Sequence, residues 1–272
     1  MKKLAIIISV YKNDDIDCFN DCIESIKNQT FIDFNVFIQF DGIVDTKIDN
    51  YCNTLISKDN RFKIYKRAIN KGLAFSLNEL LEFVLSNGYT YIARMDADDV
   101  CFIDRFEKQV LFLDENIEID IVGGYIEEFD NGKFKKIVKY PLRHIDMKAF
   151  FGKRNPLAHG TVMFRNSFFE KAGKYPETTN ADEDTLLWLN GFLSGCIFAN
   201  IPHTLVHVRV SDDFYRRRSG IKKSVSDFAN RCKVIKLLNL PPITYIYAYM
   251  RFAFSIIHFP AFTKIIYRIF RS

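Results

Sequence analysis

The sequence predicts an α/β fold built on a mostly parallel, Rossmann-like central sheet flanked by helices. Three observations predict it. Leu4 to Val10 is a near-continuous apolar, β-branched run, the pattern of a strand buried on both faces. Strand-like and helix-like segments alternate over the first ~125 residues, as crossover connections between parallel strands require. No internal repeat or low-complexity linker interrupts that alternation.

The elements follow in order. After the first strand, Asp14 or Asp15 is placed to cap a helix reaching about Gln29, with Ile16, Phe19, Ile23 and Ile26 at helical spacing. Phe34 to Phe40 reads as a second strand ending in Asp41-Gly42, and Asp45 to Ser57 as a helix. Arg61 to Lys66 is a short third strand. Asn70-Lys71-Gly72 opens a helix whose apolar stripe is Leu73, Leu77, Leu80, Leu81, Val84 and Leu85, stopped by Gly88. A strand beginning at Tyr89 follows, then a helix from an Asp104 cap to about Asp114, then a strand from Asp120 to Phe129.

The second half is less regular. Phe134 to Lys139 can pair back on the preceding strand, and Asp146 to Gly152 reads as a short helix. His159 to Phe164 reads as a strand, Ser167 to Ala172 as a helix ended by Gly173, and Glu183 to Leu193 as a helix behind an acidic turn. We expect one domain over residues 1–210, with a regular half of about 1–125 and a less regular half of about 126–210. Residues 211–272 form a basic, aromatic helical region. From Ile243 to Phe270 there is no acidic residue, and the most apolar window, Ile243 to Pro260, contains Arg251 and His258. That is short for a single span, which needs about 20 uninterrupted apolar residues. An interfacial amphipathic pair split near Pro260 fits better, and a pair of helices packed on the domain is the competing expectation.

Charge sharpens the division. From Arg209 to Ser272 there are 13 Lys and Arg against three Asp, while the whole chain carries only +5. The excess, including Arg216-Arg217-Arg218 and Lys222-Lys223, suits an anionic lipid surface. The six cysteines form no CxxC pair and imply free thiols in a reducing compartment. Met1-Lys2-Lys3 before an apolar run imitates a signal peptide, but Tyr11 to Asp15 stand where small residues would mark cleavage. A first buried strand explains the run. The expected location is cytoplasmic, peripheral on the inner face of the cell membrane.

Chemistry concentrates at Tyr89 to Asp99, a strand that ends in three carboxylates: Asp96, Asp98 and Asp99. Carboxylates this close need a cation, donors or open water. If the chain stays extended through Ala97, Asp96 and Asp98 project to one side. Hard oxygen ligands of this kind suit Mg²⁺ or Mn²⁺ completed by waters and phosphates. An acidic turn that merely caps the next helix is the plainer explanation, and position argues against it, because ligands in open α/β sheets bind beyond the carboxyl ends of strands. The exit of strand one at Ser9-Val10-Tyr11-Lys12, Asp41, the Asn70-Lys71-Gly72 turn and the Asp96/Asp98 cluster all fall at strand ends or helix starts. They gather along one edge that can hold a nucleotide diphosphate. No G-x-G-x-x-G or G-x-x-x-x-G-K-[ST] is present, which argues against a nicotinamide cofactor and an NTPase loop. Asp182-Glu183-Asp184 offers a second carboxylate site, and a metal–diphosphate site with a separate carboxylate is what displacement at an anomeric carbon needs.

The ensemble resembles a family 2 glycosyltransferase with the GT-A fold, of the bacterial O-antigen, capsular and exopolysaccharide type. The residues that carry the resemblance are Ile6 to Tyr11, Asp41-Gly42, Asn70 to Ala74, Ile92 to Asp99, His159 to Phe164, and Glu183-Asp184 with Leu187-Trp188. The resemblance implies that Val10, Tyr11, Asp41, Asn70, Gly72 and Asp96 bind the nucleotide, with Asp41 at the base. Asp98, with Asp96, would hold Mn²⁺ or Mg²⁺. Asp184 would be the catalytic base of an inverting transfer, His159 would sit near the acceptor, and Glu183, Arg217 and Arg218 would play acceptor or secondary roles. The implied reaction is metal-dependent transfer of a sugar from a nucleotide diphosphate donor, UDP-hexose or UDP-N-acetylhexosamine, to a glycan on a lipid pyrophosphate. The chain departs from the family pattern at Ser9 (usually Pro), Lys12 (usually Asn) and Phe40-Asp41 (usually two acids). Two rivals are a sugar nucleotidyltransferase, disfavoured by the lack of a Gly-rich triphosphate loop, and a non-catalytic nucleotide- or glycan-binding protein of the same fold.

Overall fold

The computed structural model describes residues 3–130, 133–177, 182–210 and 220–256. Strand β1 (Leu4–Val10) lies at the centre of a sheet in which β2 (Phe34–Asp41) and β4 (Tyr91–Asp96) flank it in parallel. β3 (Phe62–Arg67) extends that parallel half beyond β2. The sheet order is β3-β2-β1-β4-β8-β6-β9-β5, with β7 (Lys133–Val138) paired to β6. In the second half β8 (Met163–Arg165) joins β4 antiparallel, and β6 (Ile121–Asp130) runs parallel to β9 (Phe198–Arg209). The short β5 (Val100–Cys101) closes the order by pairing antiparallel with β9. The expected α/β architecture is thus present, and its long ladders are parallel.

Helices cover both faces. Alternation along β1 sends Leu4, Ile6, Ile8 and Val10 into one core and Ala5 and Ile7 into the other. The first core is closed by α1 (Ile16–Lys27), α2 (Thr46–Lys58) and α4 (Arg105–Glu115). The second is closed by α3 (Leu73–Ser86), α5 (His144–Phe151), α6 (Ser167–Ala172) and α7 (Glu183–Leu193). Asp15 caps α1 by accepting from the amides of Asp17 and Cys18, both at 3.0 Å. Asp104 stands at the corresponding position of α4 but does not cap it: its carboxylate pairs with Lys108 one turn on.

The structure departs from the sequence reading at two further places. The strand expected over His159 to Phe164 is a 3-10 turn, His159–Thr161, followed by β8. The Thr161 hydroxyl donates to the Ala158 carbonyl at 2.8 Å and closes that turn, competing with extended backbone. β9, the longest strand, has no counterpart in the sequence reading: Pro202 interrupts its alternation, and the ladder with β6 shifts register on either side of Tyr125. Two helices, α8 (Ile221–Leu237) and α9 (Ile243–Ile256), follow β9. Val234 and Leu238 join the second core, so α8 packs on the domain. The anticipated break near Pro260 lies outside the described residues, as do Arg216, Arg217 and Arg218. All six cysteines are free thiols.

Candidate active site

The parallel register brings β1, β2 and β4 to a common end, with Ser9 opposite both Gln39 and Asp96. Asp41 finishes β2 and is almost fully buried. Its carboxylate accepts from the amides of Lys71 (2.7 Å) and Gly72 (2.9 Å) and pairs with Arg67. The Asn70 side chain returns a bond to the Asp41 carbonyl at 3.0 Å. Asp41 therefore ties the end of β2 to the turn that enters α3. Gly42 is required beside it: its φ is +87°, and a Cβ there would stand 3.0 Å from the Asn70 nitrogen. Val10 is buried beneath this edge, and the Tyr11 amide donates to Asp14 at 2.9 Å in the turn that leaves β1.

The acidic cluster departs from the expected geometry. β4 ends at Asp96 and the chain turns at Ala97-Asp98, so alternation does not bring Asp96 and Asp98 to one side. It pairs Asp96 with Arg94 instead, both guanidinium nitrogens meeting both carboxylate oxygens. Asp98 remains partly exposed, while Asp99 is buried and accepts from the Arg209 amide at 3.0 Å. Burial, with Asp98 and Asp96 beside it, holds the Asp99 carboxyl well above the usual carboxylate range. The Arg209 side chain donates to the Asp98 carbonyl at 2.8 Å, so β9 straps the acidic turn in place.

Gly160 links this cluster to the second acidic element. A Cβ on it would come within 3.0 Å of the Asp96 carboxylate. The neighbouring His159 bonds Tyr175 at 2.9 Å and approaches Glu183 at 4.0 Å, with its ring edge-on to Trp188. Burial and Arg94 push the imidazole well below its usual pKa, so it is neutral at pH 7. Glu183 is raised to about 7 by burial and by Asp184 next to it. Asp184 accepts from the Asn155 side chain at 3.0 Å and from the Thr185 amide at 2.5 Å. Asp182 is directed away, into a clasp with Lys223, Ser226 and Asn230 of α8.

A cavity of about 400 Å³ lies between the two elements, lined by Asn70 to Phe75 from the start of α3 and by Glu177 and Glu183. Asn70, Gly72 and Glu183 thus line one cavity, with His159 and Asp184 adjoining Glu183. Arg217 and Arg218 lie outside the described residues. Among the described residues no group of three His, Cys, Asp or Glu side chains is disposed to hold a metal. The donor set fits a cation only as one or two carboxylates, chiefly Asp98, with the remaining ligands from a diphosphate and water. Sequence reasoning missed Arg94, Asn155 and Tyr175. Arg94 alone left a local signal, standing two residues before Asp96 on a strand.

Comparison with known proteins identifies the family. Residues 5–173 match the model of "Glycosyl transferase family 2". An uncharacterized glycosyltransferase of Haemophilus influenzae is 32% identical over 83% of this chain and 83% of its own length. The UDP-Gal:alpha-D-GlcNAc-diphosphoundecaprenol beta-1,3-galactosyltransferase of Escherichia coli is 29% identical over 83% of this chain and 80% of its own. S. aureus TarS superposes with a TM-score of 0.62 at 18% identity over 87% of this chain, but the match spans only 43% of TarS. The mannosyltransferase PcManGT from Pyrobaculum calidifontis, in complex with GDP-Man and Mn²⁺, gives 0.62 at 13% identity, covering 97% of this chain and 78% of that one. At these identities the two structures speak to the fold alone.

Proposed function

This chain belongs to glycosyl transferase family 2, and we propose that it moves a hexose or N-acetylhexosamine from a UDP-sugar to a glycan on a lipid pyrophosphate, in the synthesis of a bacterial surface polysaccharide. The observation that carries this reading is the cavity shared by the α3 N-terminus, an end suited to a phosphate, and the Glu177 and Glu183 carboxylates, with Asp184 next to Glu183. The E. coli relative, whose name specifies a UDP-sugar donor and a diphosphoundecaprenol-linked acceptor, supports both substrate classes.

In this reading the nucleotide lies across Val10, Tyr11, Asp41, Asn70 and Gly72, with Asp96 toward the ribose and sugar phosphate. Asp98, aided by Asp96, would hold Mn²⁺ or Mg²⁺, which when bound neutralises the departing diphosphate. Asp184 takes the proton of the acceptor hydroxyl. That oxygen forms a bond to the anomeric carbon as the bond to the diphosphate breaks, and the nucleoside diphosphate leaves with its electron pair. A single displacement of this kind inverts the anomeric centre. Asp184 is oriented by the Asn155 and Thr185 donors, while Glu183 beside it is raised to about 7. His159 forms a neutral wall on the acceptor side.

The described residues contain no helix long and apolar enough to cross a membrane. α9 buries Thr244 and Ala248 but exposes Ile243, Tyr245, Ile246, Tyr249 and Met250. An aromatic, aliphatic face turned outward on a basic segment suits peripheral attachment to an anionic membrane on its cytoplasmic side, where the acceptor lipid resides. Residues 1–210 would act as the catalytic domain and 211–272 as the attaching region.

Calorimetric titration with UDP and GDP, each with and without Mn²⁺, tests the donor site. Binding of UDP that requires Mn²⁺ is expected. A folded protein that binds neither nucleotide would refute the transferase reading.

A further inference from the structure

We propose that Asn155 and Arg231 are positioning residues that fix the Asp184 carboxylate through a one-amide relay, making α8 part of the catalytic setting. This rests on the reading of Asp184 as the base. Asn155 lies between α5 and the 3-10 turn. Its amide nitrogen donates to Asp184 at 3.0 Å and to the Thr185 hydroxyl at 2.9 Å. Its oxygen accepts from Nη2 of Arg231 at 3.0 Å, and from the Thr185 hydroxyl at 3.1 Å. A guanidinium can only donate and a carboxylate can only accept. The Asn155 amide therefore has one orientation that satisfies both neighbours, and the Asp184 oxygen is held with it.

The interposed amide explains why a buried arginine stands so near the base without meeting it. Arg231 is 9% exposed, and its two hydrogen bonds among the described residues go to the Phe151 carbonyl and the Asn155 oxygen, not to a carboxylate. A direct two-pronged contact would lock Asp184 and weaken it as a proton acceptor. One amide away, Arg231 orients the group without forming an ion pair to it, while the other Asp184 oxygen accepts from the Thr185 amide at 2.5 Å. Burial and Arg251 lower Arg231 to about 9, as expected of a guanidinium with no ion-pair partner in contact. The other ionisable groups that face Asp184 are Glu183 beside it, Tyr175 from the preceding loop, and the Asp182–Lys223–Asp227 group at the junction with α8.

The test compares wild type with Asn155→Leu, Asn155→Asp, Arg231→Met and Arg231→Lys in the full chain. Release of UDP is followed from a panel of UDP-hexoses and UDP-N-acetylhexosamines, with Mn²⁺ and an N-acetylglucosamine–diphosphate–lipid acceptor. Asn155→Leu is expected to lower kcat roughly 10- to 100-fold while the Kd for UDP stays within about twofold of wild type. Arg231→Met lowers kcat less, and Arg231→Lys restores most of it. Asn155→Asp sets a second carboxylate against Asp184 and moves the acid limb of the pH–rate profile up by about one unit. The carboxyl carbon of Asp184, followed by ¹³C NMR in the ligand-free protein, reads the same upward displacement without turnover. Wild-type kcat in both Asn155→Leu and Arg231→Met overturns the relay, as does an Asp184 carbon titration unmoved by Asn155→Asp. A wild type that releases UDP from no donor and binds no UDP refutes the transferase reading instead, and the NMR titration still decides the relay.

Discussion

Arg94 and Asp96 stand two residues apart on β4, face the same side, and meet in a two-pronged ion pair at the strand's end. The arginine is buried and the carboxylate about one-third exposed at 35%. This pair supplies the donors that the carboxylate cluster requires. Arg94→Met is expected to destabilise the protein by about 2 kcal/mol, below the full cost of breaking a buried pair because water can reach Asp96. Without the guanidinium, Asp96, Asp98 and Asp99 repel one another, so millimolar Mn²⁺ should restore part of the loss. Urea unfolding with EDTA and with Mn²⁺ checks both parts, and a variant unfolding at the wild-type midpoint in EDTA would show that the pair carries no stability.

Glu183 gives the fold a pH dependence of opposite sign to that of most carboxylates. Burial and the adjacent Asp184 raise it from 4.5 to about 7 in the folded protein. Between those values the native chain holds a proton that the unfolded chain has lost, so stability falls as pH rises from about 5 to 7. Glu183→Gln removes the ionisation and should flatten this decline. The variant gains on wild type by about 3 kcal/mol at pH 8 and gains almost nothing near pH 4.5. Urea midpoints across that range decide the matter: parallel curves for the two proteins would mean that Glu183 ionises normally.

Asp41 was expected at the nucleotide base, and the structure gives it a second task. Both oxygens are engaged by Lys71, Gly72 and Arg67 before any nucleotide arrives. Asp41→Asn keeps the shape but turns an amide donor toward donors. It should cost about 2 to 3 kcal/mol of stability in the absence of nucleotide, and UDP affinity should fall as the α3 entry loosens. Wild-type stability with lost UDP binding would instead make Asp41 a ligand contact alone.

The outward face of α9 is open to direct test. Ile246 and Tyr249 are 54% and 63% exposed, so replacing both with Asp leaves the buried Thr244 and Ala248 stripe in place. Co-sedimentation with phosphatidylglycerol vesicles should drop several-fold while Mn²⁺-dependent UDP binding is retained. Equal sedimentation of the double variant and wild type would remove α9 from the membrane interface.

The parallel half of the fold was legible because its elements are locally encoded. β1 is apolar but for Ser9, α1 and α2 begin at Asp15 and Asp45, and Gly42 and Gly72 mark turns with positive φ. β9 was not legible, because its pairing with β6 crosses a Pro-His interruption that resembles a loop in sequence. At the site, Asp96, Asp98, Glu183 and Asp184 announce themselves by charge density. What orients them does not: Asn155, Tyr175, Arg209 and Arg231 are polar residues without local pattern, brought in from distant segments by packing. Alternation along β4 ends at Asp96, so it relates that residue to Arg94 and not to Asp98.

Gly160 separates two effects of adding a methyl group. Its Cβ would lie 3.0 Å from the Asp96 carboxylate, 3.5 Å from that of Asp99 and 3.6 Å from the Arg94 guanidinium. Asp96 is pinned by Arg94 and Asp99 is buried, so neither yields easily. Gly160→Ala should cost about 1 to 2 kcal/mol and also displace Asp96, weakening Mn²⁺-dependent UDP binding. Gly173 provides the contrast: its φ is +76° at the end of α6, and nothing lies within 4 Å of its added Cβ. Gly173→Ala carries only backbone strain, about 1 kcal/mol. It should lower the unfolding midpoint without changing UDP binding. If the two variants lose UDP affinity equally, the effect of Gly160→Ala is general loosening, and the close approach of the 3-10 turn to Asp96 does not shape the site.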